Sequence, residues 1–195
     1  MALLPVGPPK TVADWLAQPE EARLELIDGV LIEKAAPSIE HGVAQGQMMI
    51  AVGGAFHRRV GDRDRPGGWW IATVVDILLD GRGYRPDLAG WRRDAVPTLP
   101  RERPVVVRPD WLCEIVSESN RTVDTVKKLH RYHQAGVPHY WILDQVDRTL
   151  TVHRHTADGY VIAIRAEAEE RVRAEPFAAI EIHVGGLLGD DPDEP

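Results

Sequence analysis

The stretch WLCEIVSESNRTVDTVKKLHRYHQAGVPHYWILD, residues 111–144, decides how this chain folds. Its opening, WLCEIVS from Trp111 to Ser117, is rich in apolar and β-branched residues and reads as a strand. Residues 122–135 read as a helix, with Val123, Val126 and Leu129 as its apolar positions. Gly136-Val137-Pro138 stops that helix, and HYWILD, beginning at His139, starts another strand at once. One residue does not suit its strand. Glu114 stands in the middle of an otherwise apolar run, although an unpaired ionised carboxylate is costly to bury. Alternation puts Leu112, Glu114 and Val116 on one face, with Cys113 and Ile115 on the other. Glu114 is therefore expected to meet a compensating partner, either a divalent cation or an arginine or lysine.

Upstream, Thr11 reads as a helix N-cap, with Asp14 in the capping-box position and Pro19 closing the helix. In RLELIDGVLIEK (23–34), Asp28-Gly29 between alternating strands signals a tight hairpin. A helix is expected from Ile39 to about Val60, weakened by Gly42, Gly46, Gly53 and Gly54. WWIATVVDILL (69–79) reads as one long buried strand, inside which Asp76 poses the same question as Glu114. GRGY (81–84) is expected to turn the chain into a shorter strand, RPDLAGW (85–91), with Asp87 near its start, and a proline-studded loop follows at 97–109. Downstream, Asp147-Arg148 turns the chain into TLTVHRH, and Asp158-Gly159 then turns it into YVIAI. The order of elements predicts a mixed sheet with helices, an α/β or α+β core.

At 195 residues, with 44% hydrophobic and 27% charged residues, the chain reads as one globular domain over 1–188 and an acidic disordered tail over 189–195. The single cysteine, Cys113, allows no internal disulfide. No stretch approaches the ~20 apolar residues of a membrane span, and a cytoplasmic protein is expected. The net charge of −7, from 23 Lys+Arg against 30 Asp+Glu, is unfavourable for binding a polyanion. Arginines nevertheless cluster at Arg58/Arg59, Arg63/Arg65, Arg92/Arg93 and Arg101/Arg103, as a local phosphate-facing patch or as solvated surface. The pairs His130/His133 and His153/His155 have zinc-like spacing, but no third ligand stands nearby, so a zinc centre is not expected. Tyr132, Tyr140 and Trp141 read as core.

RPDLAGW, then WLCEIVSES, then TVDTVKKLHRYHQAGVPHYWILD, together with LELIDGVLIEKAAPSIEHG upstream, resemble the Uma-two family of restriction-endonuclease-like proteins. The resemblance runs from about Glu25 to Tyr160, and it places the chain in the PD-(D/E)XK nuclease superfamily. It implies an α/β restriction-endonuclease-like core: a mixed central β-sheet flanked by helices, with an added N-terminal β-hairpin. It implies a DNA endonuclease whose motif acids are Asp87 and Glu114, holding Mg2+ (or Mn2+) with the Ile115 carbonyl as a further ligand. The superfamily's lysine two residues past the glutamate is absent, since position 116 is valine. The resemblance supplies it from the next helix as Lys128, with Lys127 as the alternative, because both flank the Val126/Leu129 stripe. Lys128 could instead pair with Asp124 on its own helix. Glu25 and, more weakly, His41 are placed near the cleft. The family's Ser-Pro-Ser after the glutamate is Ser117-Glu118-Ser119 here. Cutting two strands implies a homo-oligomer, a dimer.

Overall fold

A computed structural model of the chain describes residues 8–62, 65–117 and 123–191, with side chains for all of these but 123–125. Of the residues named above, Arg63, Glu118, Ser119, Thr122 and the last four, 192–195, lie outside the described residues, as do the side chains of Val123 and Asp124.

Helix α1 (Val12–Leu16) starts at Thr11, whose side chain accepts from the Asp14 N–H while Asp14 caps the Thr11 backbone in return. Strands β1 (Leu24–Ile27) and β2 (Val30–Glu33) form the expected hairpin, turning through Asp28 and Gly29, both at positive φ. Helix α2 (Ile39–Met48) runs through a π-helical turn (Met49–Gly53) into α3 (Gly54–Phe56). The expected helix therefore ends at Phe56, short of Val60.

The run 69–79 is not one strand. It divides into β3 (Trp69–Thr73) and β4 (Ile77–Leu79), which belong to different sheets, and Val74 breaks the chain between them at φ 52°. GRGY is not the turn either. Asp80-Gly81 makes the turn, and β5 (Arg82–Tyr84) pairs back on β4. After β5 come β6 (Leu88–Arg92) and β7 (Trp111–Val116). A π-helical turn (Val123–Lys128) leads into α4 (Leu129–Gln134), then β8 (His139–Asp144), β9 (Thr149–Thr156) and β10 (Gly159–Glu167). A short pair, β11 (Arg171–Val172) with β12 (Ile182–His183), and helix α5 (Val184–Leu187) end the described chain and have no counterpart in the expectation above.

The main sheet runs β10-β9-β8-β7-β6-β3 and is mixed: β7 and β8 are parallel, joined through α4, while the other neighbours are antiparallel. A second sheet, β2-β1-β5-β4, enlarges the N-terminal hairpin to four strands through the Leu26↔Gly83 pairing. Each face of the main sheet is covered. Cys113 and Ile115 pack with Met48, Val52, Phe56 and Phe177, while Leu112 and Val116 pack with Ile27, Tyr84, Tyr132 and Tyr140. Tyr132, Tyr140 and Trp141 are fully buried core residues, as read from the sequence. Covering on both sides leaves Glu114 without solvent, at 0% exposure. No helix among the described residues is long and apolar enough to cross a membrane.

Candidate active site

Asp87 and Glu114 meet where β6 begins and β7 nears its end. The β6–β7 ladder pairs Leu88 with Cys113. Beyond that pair, the Asp87 side chain takes over as acceptor, and its Oδ2 receives the Ile115 N–H at 2.8 Å. Its Oδ1 lies 3.0 Å from Lys34 Nζ and 3.3 Å from His41 Nε2. Gln45, one helical turn after His41 on α2, donates to the Asp87 carbonyl at 2.8 Å. Helix α2 thus fixes both ends of this residue.

Among the described residues, three donors hold Glu114. Its Oε1 accepts from Lys128 Nζ at 3.0 Å and from the Tyr132 hydroxyl at 2.9 Å, and its Oε2 lies 3.3 Å from Lys34 Nζ. Lys128 also reaches Glu25 Oε1 at 2.9 Å, and that oxygen accepts the Arg85 N–H at 2.8 Å. Glu25 is 2% exposed, so it does not lie on the solvated face of the hairpin. Lys128 is buried and Lys127 exposed, a choice that helix periodicity left open. Val126, read as part of an apolar stripe, is 61% exposed. The π-helical turn through 123–128 shifts the phase on which that stripe was drawn.

Lys34 is the residue that sequence reasoning missed. Its ammonium sits between the two motif acids and also donates to the Arg85 carbonyl at 2.9 Å. A signal for it existed. The Asp28-Gly29 turn sets Glu25 opposite Ile32, so Ile32 and Lys34 share the face of the hairpin that Glu25 occupies. Tyr132 and Gln45 also contribute contacts that were not anticipated.

Charge shapes the site strongly. For Lys34, burial opposes the charged ammonium, yet the carboxylates of Glu114, Asp87 and Glu25 outweigh it against the repulsion of Lys128, and the group titrates above an ordinary lysine. For Asp87, burial works against ionisation, but Lys34, His41 and the Ile115 N–H together hold its carboxyl well below the usual carboxylate range. Burial and then the Glu114 and Glu25 charges push the Tyr132 hydroxyl far up, so it acts as a neutral donor. Because the folded value of Asp87 is depressed, the stability it contributes is present above the unfolded carboxyl's pKa, about 4, and is lost as pH falls toward the folded value. Wild-type stability in urea is accordingly expected to fall between about pH 5 and pH 2 more steeply than that of Asp87→Asn. Parallel slopes in the two proteins would refute this.

The remaining candidates separate from the site. Asp76 forms a two-pronged ion pair with Arg85, at 2.6 and 3.1 Å, and a further one with Arg103 at 2.8 Å, so it is structural. The arginine clusters are largely engaged: Arg58 and Arg65 face Asp62, Arg92 pairs with Asp94, and Arg93 lies over the Trp70 ring. The His133 and His155 rings stack, and their Nε2 atoms lie 2.8 and 3.2 Å from backbone carbonyl oxygens. Asp190, in the segment read as a tail, pairs with Arg148. Among the described residues no three His, Cys, Asp or Glu side chains are arranged as a ready metal cage. A concavity of about 460 Å³, bordered by Arg59, Arg92 and Arg93, lies at the far ends of β3 and β6 and holds none of the three carboxylates. A smaller cavity of about 200 Å³ opens directly on Asp87, Lys34, His41 and Gln45. Convergent charge, rather than volume, makes the second the candidate site.

Comparison with known proteins bears on the family and on the fold. The family model described as "Uma2: Putative restriction endonuclease" matches residues 10–185. The chain is also similar to the crystal structure of a protein from Anabaena variabilis described as a putative nuclease of DUF820. The two superpose with a TM-score of 0.73 at 19% identity, over 93% of this chain and 98% of that one. That likeness shows the shared fold. No curated protein matches.

Proposed function

Because this chain belongs to the Uma2 family, we propose that it is a magnesium-dependent endonuclease that hydrolyses phosphodiester bonds in DNA, with manganese able to substitute. One observation carries the reading: two buried carboxylates far apart in the chain, Asp87 just before β6 and Glu114 within β7, converge on a single cationic group. Magnesium takes oxygen ligands and typically one or two protein carboxylates, which this pair supplies, with the Ile115 carbonyl as a third donor. The donor set fits the ion once Lys34 gives up its place between the two acids. So bound, the ion would acidify a water and neutralise charge on the phosphoryl oxygens.

The chain's own residues do the rest. Lys128, whose ammonium is pinned by Glu25 and Glu114, faces the reacting phosphate and stabilises the negative charge that builds on it. Glu25 is a positioning residue for that lysine. Tyr132 keeps Glu114 in one rotamer by donating to Oε1, His41 does the same at the Asp87 carboxylate, and Gln45 holds the Asp87 backbone through its carbonyl. One such site per chain cuts one strand, so double-strand cleavage would use a homodimer. The setting that suits this activity is the cytoplasm.

Supercoiled plasmid is the direct test. Nicked circles are expected to accumulate with magnesium or manganese and to disappear when EDTA removes the metal. A second reading is favoured by the net charge of −7 and by the lysine lodged between the motif acids: a relative that binds nucleic acid without cutting it. Fluorescence anisotropy showing DNA binding, with no cutting under any divalent metal, would establish that alternative.

A further inference from the structure

Lys34 Nζ has three acceptors, the Arg85 carbonyl at 2.9 Å, Asp87 Oδ1 at 3.0 Å and Glu114 Oε2 at 3.3 Å, one for each of its three protons. Two of these are the oxygens through which the proposed enzyme would hold a divalent ion. An ammonium and a divalent ion cannot share them, for both would lie within contact distance of each other and repel. We propose that Lys34 is a resident counter-ion which the divalent cation must displace, so that loading of the site is coupled to an outward swing of the Lys34 side chain. The inference rests on Asp87 and Glu114 being metal ligands.

Charge gives the exchange its direction. Counting formal charges among the described residues, Glu25, Asp87 and Glu114 against Lys34 and Lys128 sum to one net negative charge. Replacing the lysine by a divalent ion brings the cluster to neutrality, whereas adding the ion beside both lysines leaves a buried net positive charge. A buried excess of either sign is unfavourable. Without metal, Lys34 spares Asp87 and Glu114 from facing each other uncompensated, and the site can form in advance.

The two lysines differ in their freedom to leave. The Lys128 side chain is 1% exposed and lies against Glu25 and Glu114. The Lys34 side chain is 10% exposed and borders the 200 Å³ cavity together with Arg23, Pro37, His41 and Gln45. That space receives a displaced lysine without unfolding the hairpin. Lys34 follows the last residue of β2, and its backbone N–H bonds the Arg23 carbonyl at 3.0 Å, so only the side chain needs to move.

The full-length protein provides the test, with Mn2+ alone as the probe and calorimetric titration as the readout. Lys34→Met keeps the length of the side chain and removes its charge, and it is expected to bind Mn2+ at least about tenfold more tightly than wild type, since no competing state has to be emptied. Lys127→Met removes the same charge from an exposed position and is expected to leave the affinity unchanged. A second measurement needs no variant: amine acylation read by peptide mass spectrometry should increase at Lys34, and stay flat at Lys128, as wild type is saturated with Mn2+. Equal Mn2+ affinity in wild type and Lys34→Met overturns the exchange, as does a Lys34 reactivity that ignores bound Mn2+. If wild type nicks plasmid with magnesium while either of those results is found, the nuclease reading stands and the role of Lys34 falls. If neither protein binds Mn2+, both fall.

Discussion

Replacing Glu114 with alanine is expected to destabilise the protein by about 3–5 kcal/mol and to abolish nicking at the same time. Glu114 has no contact with solvent, and it stands between Lys34, Lys128 and the Tyr132 hydroxyl. Truncation leaves Lys34 with Asp87 and Lys128 with Glu25 but removes the carboxylate they share, and it takes an acceptor from the buried Tyr132 hydroxyl, so each group bears a desolvation cost. For a chain of this size the melting midpoint should drop by roughly 6–20 °C, which calorimetry will resolve. Glu114→Gln separates fold from chemistry. Its amide oxygen can still accept from Tyr132 or Lys128, so the loss of stability should be smaller, while its neutral side chain can no longer hold a divalent ion. Nicking by Glu114→Gln at the wild-type rate would mean that the carboxylate is only a structural counter-ion.

What made Glu114 legible was local: an acid in an apolar strand demands a partner whatever the fold. The hairpin was legible for the same reason, because Asp28 and Gly29 both adopt the positive φ that a two-residue turn requires. The division at 69–79 was not. WWIATVVDILL carries apolar and β-branched residues across the break, so propensity favours strand throughout. The interruption comes from Val74 at positive φ and from Asp76 turning toward Arg85, a partner nine residues further on. Such a pairing has no signature in periodicity. Glu25 illustrates a related limit. Alternation distinguishes a wet face from a dry one only where one face is wet, and β1 is buried on both sides from Glu25 to Ile27.

Lys34 was hidden by distance along the chain. A lysine at the end of a hairpin strand normally points to water. Its two acid partners lie 53 and 80 residues away, and only the closed sheet brings them together. The family resemblance named the acids and offered two lysines on the helix. It could not show that a third occupies the space between the acids, because that depends on the hairpin packing over the start of β6.

Lys128→Met is expected to reduce the nicking rate by about 10²–10³-fold, while Lys127→Met stays near wild type. Adjacent residues of like charge rarely differ so much, and the reason lies in the backbone. Lys128 ends the π-helical turn Val123–Lys128 at 1% exposure against Glu25 and Glu114, while Lys127 lies in solvent. An ammonium held in a dry site by two carboxylates needs no reorganisation to meet the charge that develops on a phosphate, and an exposed one is screened by water. Some lost activity could come from lost stability, since Lys128→Met leaves two buried carboxylates short of a counter-ion. Rates are therefore to be compared at a temperature where circular dichroism shows both variants folded. The salt dependence of DNA binding gives the second control. Lys128 acts on the reacting phosphate rather than on the backbone at large, so its removal should change the slope of log affinity against log salt by no more than about one unit. A large, uniform loss of affinity with an unchanged single-turnover rate would assign Lys128 to binding and remove it from the chemistry.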